Sequence, residues 1–276
     1  MPVSAVQHVR KMRGGAQSHL MRASNGSFYV VKFQNNPQHP RVLVNEMLAT
    51  RLTERLGLPV PATEVVDVEP WLVAHTPELT IQLAGRSIPC QAGLQFGSQY
   101  VVNPLEGRVF DYVPEQTLAR VRNLEDFAGM LVVDKWTCNA NGRQAAFWKK
   151  AREKKYRATF IDQGYCFNAG EWSFPDSPLR GVYLRNEVYA QVRGWESFEP
   201  WLPRVESMDP QAIWECVEAI PPEWYQHDVS AIESLVEKLI KRRGSVRRLV
   251  EEFRRSSRAP FPNWIEMAAA TRVGHA

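Results

Sequence analysis

At 276 residues, the chain is too long for one small core and suits one large domain or two lobes. Its 44% hydrophobic and 23% charged residues exclude the disordered and fibrous classes. A net charge of +4, from 34 basic and 30 acidic residues, is compatible with an anionic ligand such as a nucleotide but is not the footprint of a dedicated nucleic-acid binder.

The first hundred residues read mostly as strands and the remainder mostly as helices, an α+β arrangement. Val6 to Met12 is a strand candidate, broken by Gly14-Gly15. Ser18 to Ala23 and Phe28 to Phe33 follow as a hairpin, because Asn25-Gly26 between them tolerates positive φ. The segment opened by Pro40 carries Leu43, Met47, Leu48, Leu52 and Leu56 at helical spacing, and Gly57 ends it as a C-cap. LPVPATEVVDV returns to extended structure, with weaker strands predicted from Trp71 to Leu83 and from Leu94 to Val102.

Asn103 to Pro114 reads as a connection between lobes. A helix is predicted from Leu124 to Trp136, with Asn123 as its cap. Ala145 to Lys149 and Arg157 to Ile161 form a predicted strand pair around the basic turn KKAREKK. Helices are clearest at Val229 to Arg242 and Val246 to Arg254, and the terminal TRVGHA is expected to fray. The expected division is an N-lobe over residues 1–102, an antiparallel sheet with one helix, and a helical C-lobe over 103–276.

Cys90, Cys138, Cys166 and Cys216 are scattered with no CxxC pair, so neither a zinc ribbon nor a disulfide framework is expected. Reduced thiols fit a cytoplasmic protein. No window approaches the ~20 apolar residues of a membrane span, and no membrane partner is expected. The basic runs KKAREKK, KRRGSVRR and EEFRRSSR leave a nucleic-acid-linked reading open, although such runs are usually solvated turns or helix faces.

One ordered set of residues carries chemistry. Holding a nucleoside triphosphate needs backbone N–H groups at phosphate, a cation, an acid that fixes the cation, and a carboxylate for metal. Gly14, Gly15 and Ser18 lie between two strands, where a phosphate-covering hairpin belongs, though paired glycines also make plain turns. Lys32 sits in an otherwise apolar strand, where an unpaired ammonium is costly to bury. It either snorkels to water or points into a cleft with a partner. Glu46, on the next helix, can be that partner or a solvated glutamate. Asp162 ends the apolar strand ATFI before Gln163-Gly164, a position that suits a Mg²⁺ ligand as well as a turn. The polar loop DKWTCNANGRQ gathers Asp134, Asn139, Asn141, Arg143 and Gln144.

GGAQSHLMRASNGSFYVVKF, NEMLATRLTERLGLPVP, DKWTCNANGRQ and ATFIDQGYCFN together resemble the HipA-like bacterial kinases, and more distantly the phosphatidylinositol 3-/4-kinases. The resemblance implies a two-lobed protein-kinase-like fold that binds ATP with Mg²⁺. It implies that Lys32 contacts the phosphates, Glu46 holds Lys32, Asp162 and Asn139 serve the metal, and Gly14 to Ser18 form the phosphate loop. Leu94 to Tyr100 would be the adenine-side hinge. The family's catalytic loop usually reads Asn-x-Asp with a later metal asparagine. Here Asn141 stands at the aspartate position, and the later asparagine falls near Ala146. An amide cannot accept a proton as a carboxylate does. Asn141 would align the acceptor hydroxyl, with Asp134 as the alternative catalytic group through its Asp-x-x-x-x-Asn spacing to Asn139. The expectation is a kinase acting on a hydroxyl, Ser or Thr of an unidentified protein acceptor. The alternative is a pseudokinase, a nucleotide-binding or scaffolding module without transfer.

Overall fold

The structure is a computed structural model that describes residues 1–266; the TRVGHA segment lies outside the described residues. In chain order the N-terminal part runs β1 (Val3–Lys11), β2 (His19–Ala23), β3 (Phe28–Lys32), α1 (Val42–Arg55), β4 (Thr63–Val68), α2 (Pro70–Ala74), β5 (Thr80–Leu83), β6 (Arg86–Pro89) and β7 (Gly93–Gln99). β8 (Gly107–Phe110), α3 (Glu115–Leu118), α4 (Asp126–Trp136), β9 (Gln144–Lys150) and β10 (Arg157–Ile161) follow. The chain then continues through α5 (Leu202–Glu206), α6 (Pro210–Glu218), α7 (Val229–Arg242) and α8 (Val246–Arg254). The sheet-rich beginning and helical end are those the composition of the two halves predicts.

β1, β2, β3, β7 and β4 close into a small barrel. Most pairs are antiparallel, but β1 meets β4 in parallel at Val3↔Val66 and Ser4↔Asp67, so the sheet is not purely antiparallel. Alternate residues of these strands (Met21, Val31, Val66, Val68) fill the barrel with Leu79, Ile81 and Cys90. α1 is buried on almost every side. Its Leu43, Met47, Leu48 and Leu52 belong to the second, larger core, with Phe127 and Met130 of α4 and Leu235 and Leu239 of α7. The helix ends as the sequence predicts: Gly57 has φ 77°, its N–H bonds to Glu54 O, and Leu58 N–H reaches back to Thr53 O.

Three local expectations are corrected. Trp71 to Ala74 is helical, because Pro70 supplies the fixed φ of a first helical residue; only Thr80 to Leu83 of that stretch is strand. The presumed connection Asn103 to Pro114 contains β8, which pairs with β9 to make a three-stranded sheet with β10. Asn123 does not cap α4; its side chain bridges to both the N–H and the C=O of Ala158 instead. All four cysteines are free and buried. Among the described residues, no helix is long and apolar enough to cross a membrane.

The barrel contains an acid-sensitive pair. His19 is wholly buried, with Nδ1 3.1 Å from His8 Nε2 and Nε2 3.2 Å from Thr80 O. Burial, reinforced by the neighbouring His8, lowers its pKa to about 4. The unfolded chain takes up this proton near the ordinary histidine value and the folded chain does not. The stabilisation is therefore complete above about pH 6.5 and is lost as pH falls toward 4. Moving from pH 7 to pH 5 is expected to cost about 2 kcal/mol through this residue alone. Urea midpoints at the two pH values, compared between wild type and His19→Gln, check this: the variant should show the shallower dependence.

Candidate functional site

α1 and the strands β3 and β10 position the central side chains. Lys32 is the last residue of β3, and its aliphatic stem lies among apolar neighbours, leaving the side chain only 9% exposed. Glu46 sits on the first turns of α1, 4% exposed. Asp162 follows β10 directly, in a left-handed conformation with φ 63° that turns its carboxylate back toward the barrel. The Lys32 ammonium bonds Glu46 Oε1 and lies 2.7 Å from Asp162 Oδ1. Glu46 in turn accepts the backbone N–H of Gln163 at 3.0 Å and of Gly164 at 2.8 Å. A Cβ on residue 164 would fall 2.6 Å from Val42 Cγ2 and 3.0 Å from Glu46 Oε1, so only glycine lets the loop approach the helix this closely.

The electrostatics follow from this triad. Burial works against the Lys32 charge, but the two carboxylates outweigh it and raise its pKa well above the usual lysine value. Burial alone would push the Asp162 carboxyl up; the charge and hydrogen bond of Lys32 hold it below the usual aspartate value. All three groups border a cleft of about 860 Å³ between the barrel and the β8–β9–β10 sheet, a volume ample for a nucleotide. Gly14, Gly15 and Ser18 form its roof. Gly14 has φ 117°, and its turn is closed by a bond from Gln17 N–H to Gly14 O. Phe96, Ser98, Gln99 and Tyr100, from the expected hinge segment, border the same cleft.

The polar loop divides in two. Asn141 and Gln144 face the cleft, and Gln144 Nε2 donates to Asp162 Oδ2 at 2.6 Å. Asp134 and Asn139 do not border it. Asp134, inside α4, is buried against Arg143, with Nε 3.0 Å from Oδ2 and one terminal nitrogen 2.5 Å from Oδ1. Asn139 donates to Asp134 Oδ1 at 2.9 Å and accepts Asn141 N–H at 3.0 Å. Arg143 completes the knot by donating to Ile161 O and Gln163 Oε1. The side chains expected as alternative catalytic group and as metal ligand, Asp134 and Asn139, are here engaged in holding the loop's shape.

Several contributors had no visible signal in the sequence. Asn45 Nδ2 lies within hydrogen-bond distance of the carbonyls of Gly164, Cys166 and Ala169, and its Oδ1 accepts Trp172 Nε1–H at 2.8 Å. It ties the loop after Asp162 to the helix that carries Glu46. Further along, Asp176 pairs with Arg242 of α7 and Arg248 of α8, and buried Lys135 donates to the carbonyls of Pro178 and Arg180. The segment GEWSFPDSPLRGVY is thus pinned by cations; Trp172 is buried and packs under Arg41.

The donor set suits a magnesium–nucleotide. Asp162, Gln144 and Asn141 offer hard oxygens, Lys32 a fixed cation, and the glycine turn an accessible backbone. No cluster of three or more His, Cys, Asp and Glu able to hold a metal by itself occurs among the described residues. A magnesium ion here would therefore lean on phosphate oxygens as well as protein.

A protein-family model described as HipA-like kinase matches residues 5–167. No curated protein matches the chain. Among solved structures, the Helicobacter pylori proinflammatory kinase CtkA is 13% identical, with 91% of this chain covering 99% of that one at a TM-score of 0.60. A hydra Fam20 structure with sugar is 12% identical, covering 92% and 87% of the two chains at 0.55. The Golgi casein kinase is 13% identical, covering 93% and 75% at 0.53. At these identities the structural likenesses establish the shared protein-kinase-like fold.

Proposed function

Because this chain belongs to the HipA-like kinase family, we propose that it binds ATP with Mg²⁺ in the cleft beneath Gly14 and Gly15 and transfers the γ-phosphoryl group to a Ser or Thr hydroxyl of a protein. The observation that carries the reading is the convergence of Lys32, Glu46 and Asp162 on one cleft. Lys32 neutralises phosphate charge and is kept extended and protonated by Glu46. Asp162 would hold the metal, which would supply positive charge against the negative charge developing on the phosphates. The glycine turn brings backbone N–H groups over the phosphates. The acceptor oxygen forms its bond to phosphorus as the β–γ bridging bond breaks and ADP leaves. Asn141 positions the hydroxyl, and its proton departs late, onto a phosphoryl oxygen. A loose transition state asks little of a base. We assign residues 1–102 and 103–276 to the two lobes, with the protein in the cytoplasm, where its four unpaired, buried thiols are stable.

Asn141 at the position of an aspartate supports the second reading, a pseudokinase that binds nucleotide without transfer. Calorimetric titration with ATP and Mg²⁺, alongside γ-phosphate transfer to a peptide library, separates the two. Binding with transfer is the expected result. Binding without transfer to any acceptor selects the pseudokinase. No nucleotide binding removes both.

A further inference from the structure

The glycine turn over the cleft is held from the side that faces away from it. Gly14, Gly15, Ala16 and Ser18 border the cleft, and Gln17 does not. Gln17 takes a left-handed conformation, φ 49°, and its side chain runs to the β5–β6 hairpin. There the primary amide bonds twice to one residue: Nε2 donates to Gln82 O at 2.8 Å, and Oε1 accepts Gln82 N–H at 2.7 Å. Lys11, which ends β1, donates to Gln17 Oε1 and to Thr80 O, each at 3.0 Å.

Strand register explains why Gln82 is free to receive this amide. β5 and β6 are joined by the two-residue turn Ala84-Gly85, both with positive φ, so Leu83↔Arg86 is the hydrogen-bonded pair beside the turn. Bonded and non-bonded pairs alternate along an antiparallel ladder. Gln82, opposite Ser87, is therefore a non-bonded position, and its N–H and C=O point away from β6. They are the open edge of a two-stranded sheet that joins no further strand among the described residues. The Gln17 amide has both a donor and an acceptor, and it closes this edge as a peptide group of a third strand would. The hairpin is itself fixed: Leu79 and Ile81 are buried in the barrel core, and Ile88 packs against it. A left-handed residue other than glycine is strained and persists where its surroundings over-determine it. For Gln17 the two bonds to Gln82 do so.

We infer that Gln17 is a positioning residue of the phosphate loop and that the β5–β6 hairpin is the brace it works against, fixing the glycine turn at the height over the cleft that a triphosphate requires. This rests on the proposed ATP-dependent function and deepens it. The path from core to phosphate is short. Ile81 anchors the hairpin, and Gln82 holds the Gln17 side chain. The Gln17 N–H bonds to Gly14 O at 3.1 Å, and the Met12 N–H bonds to Ser18 O at 2.7 Å, so the loop moves with residue 17. Backbone N–H groups stabilise phosphate only at hydrogen-bond distance, and a displacement of about 1 Å costs on the order of 10²-fold.

Two variants, one on each side of the contact, test this. Gln17→Gly removes the amide and suits the left-handed backbone, so it adds no strain. Gln82→Pro removes the N–H that Gln17 accepts; that N–H faces away from β6, so no ladder bond is lost. Mg-ATP affinity is measured calorimetrically. Exchange of the Met12 amide hydrogen, whose bond to Ser18 O closes the loop, is followed in the nucleotide-free protein. Each variant is expected to exchange Met12 about 10-fold faster and to bind ATP about 10-fold more weakly, with exchange in the barrel core unchanged. The double variant should be no worse than Gln17→Gly, because both remove one contact. Unchanged Met12 exchange, unchanged ATP affinity, losses that add in the double variant, or faster exchange throughout the barrel would each overturn the inference. Faster loop exchange in a protein whose wild type binds no ATP would instead sink the proposed function and leave the brace standing.

Discussion

Asp162→Asn is expected to lower phosphoryl transfer by about 10³-fold while leaving the fold intact. The substitution removes one negative charge from the end of β10 but keeps the shape and one oxygen, so Lys32 retains an acceptor, and Gln144 turns its amide to accept from the new amide nitrogen. What is lost is the charge that attracts metal to the phosphates, and electrostatic contacts of this kind are typically worth 10²–10³ in rate. Lys32 still has Glu46, which is held by two backbone N–H groups, so the buried ammonium is not stranded. Because Lys32 keeps the Asp162 carboxyl below its usual range, wild-type transfer should show no acid limb from Asp162 near neutral pH. As pH falls, the ionised form and the stability it contributes disappear only at strongly acid values, below the ordinary aspartate pKa. Single-turnover transfer of labelled γ-phosphate, paired with ATP affinity in EDTA, checks this. The variant should bind metal-free ATP within a few-fold of wild type. Retention of a tenth or more of the transfer rate would mean that another group carries the metal.

The parts of the site legible in the sequence are those set by local rules. Lys32 is conspicuous because an ammonium inside FYVVK needs a partner. The end of α1 is conspicuous because Gly57 is the residue type a left-handed C-cap demands. Asp162 stands out at the junction of an apolar strand and a glycine turn. The parts that were not legible depend on long-range pairing. β8 has only four residues and exists through its ladder to β9, some forty positions later, so it read as part of a connection. Asn45 looks like any polar helix residue until the loop after Asp162 folds back on it. The partner of Asp134 was hidden for the same reason: its spacing to Asn139 was visible, but nothing local announces that Arg143 closes on it.

That buried pair governs the largest expected effect on stability. Arg143 is 2% exposed at its side chain and Asp134 1%, and the guanidinium also holds Ile161 O and Gln163 Oε1. Burial opposes the Arg143 charge, and Asp134 more than restores it, raising its pKa. Asp134→Ala would leave that cation without its counter-charge in a dry interior, where breaking one side of a buried pair typically costs about 3–5 kcal/mol. For a chain of this size the melting temperature should fall by roughly 10 °C. Asp134→Leu combined with Arg143→Met should recover much of the loss, since it removes both desolvated charges together. Thermal melts of the single and double variants test this. A base would behave in the opposite way: Asp134→Ala would melt like wild type and lose transfer. Because Arg143 also grips Ile161 and Gln163, which flank Asp162, the expected loss of activity in Asp134→Ala should follow the loss of folded protein. Total transfer should then recover as temperature is lowered, while transfer per folded molecule stays near that of wild type.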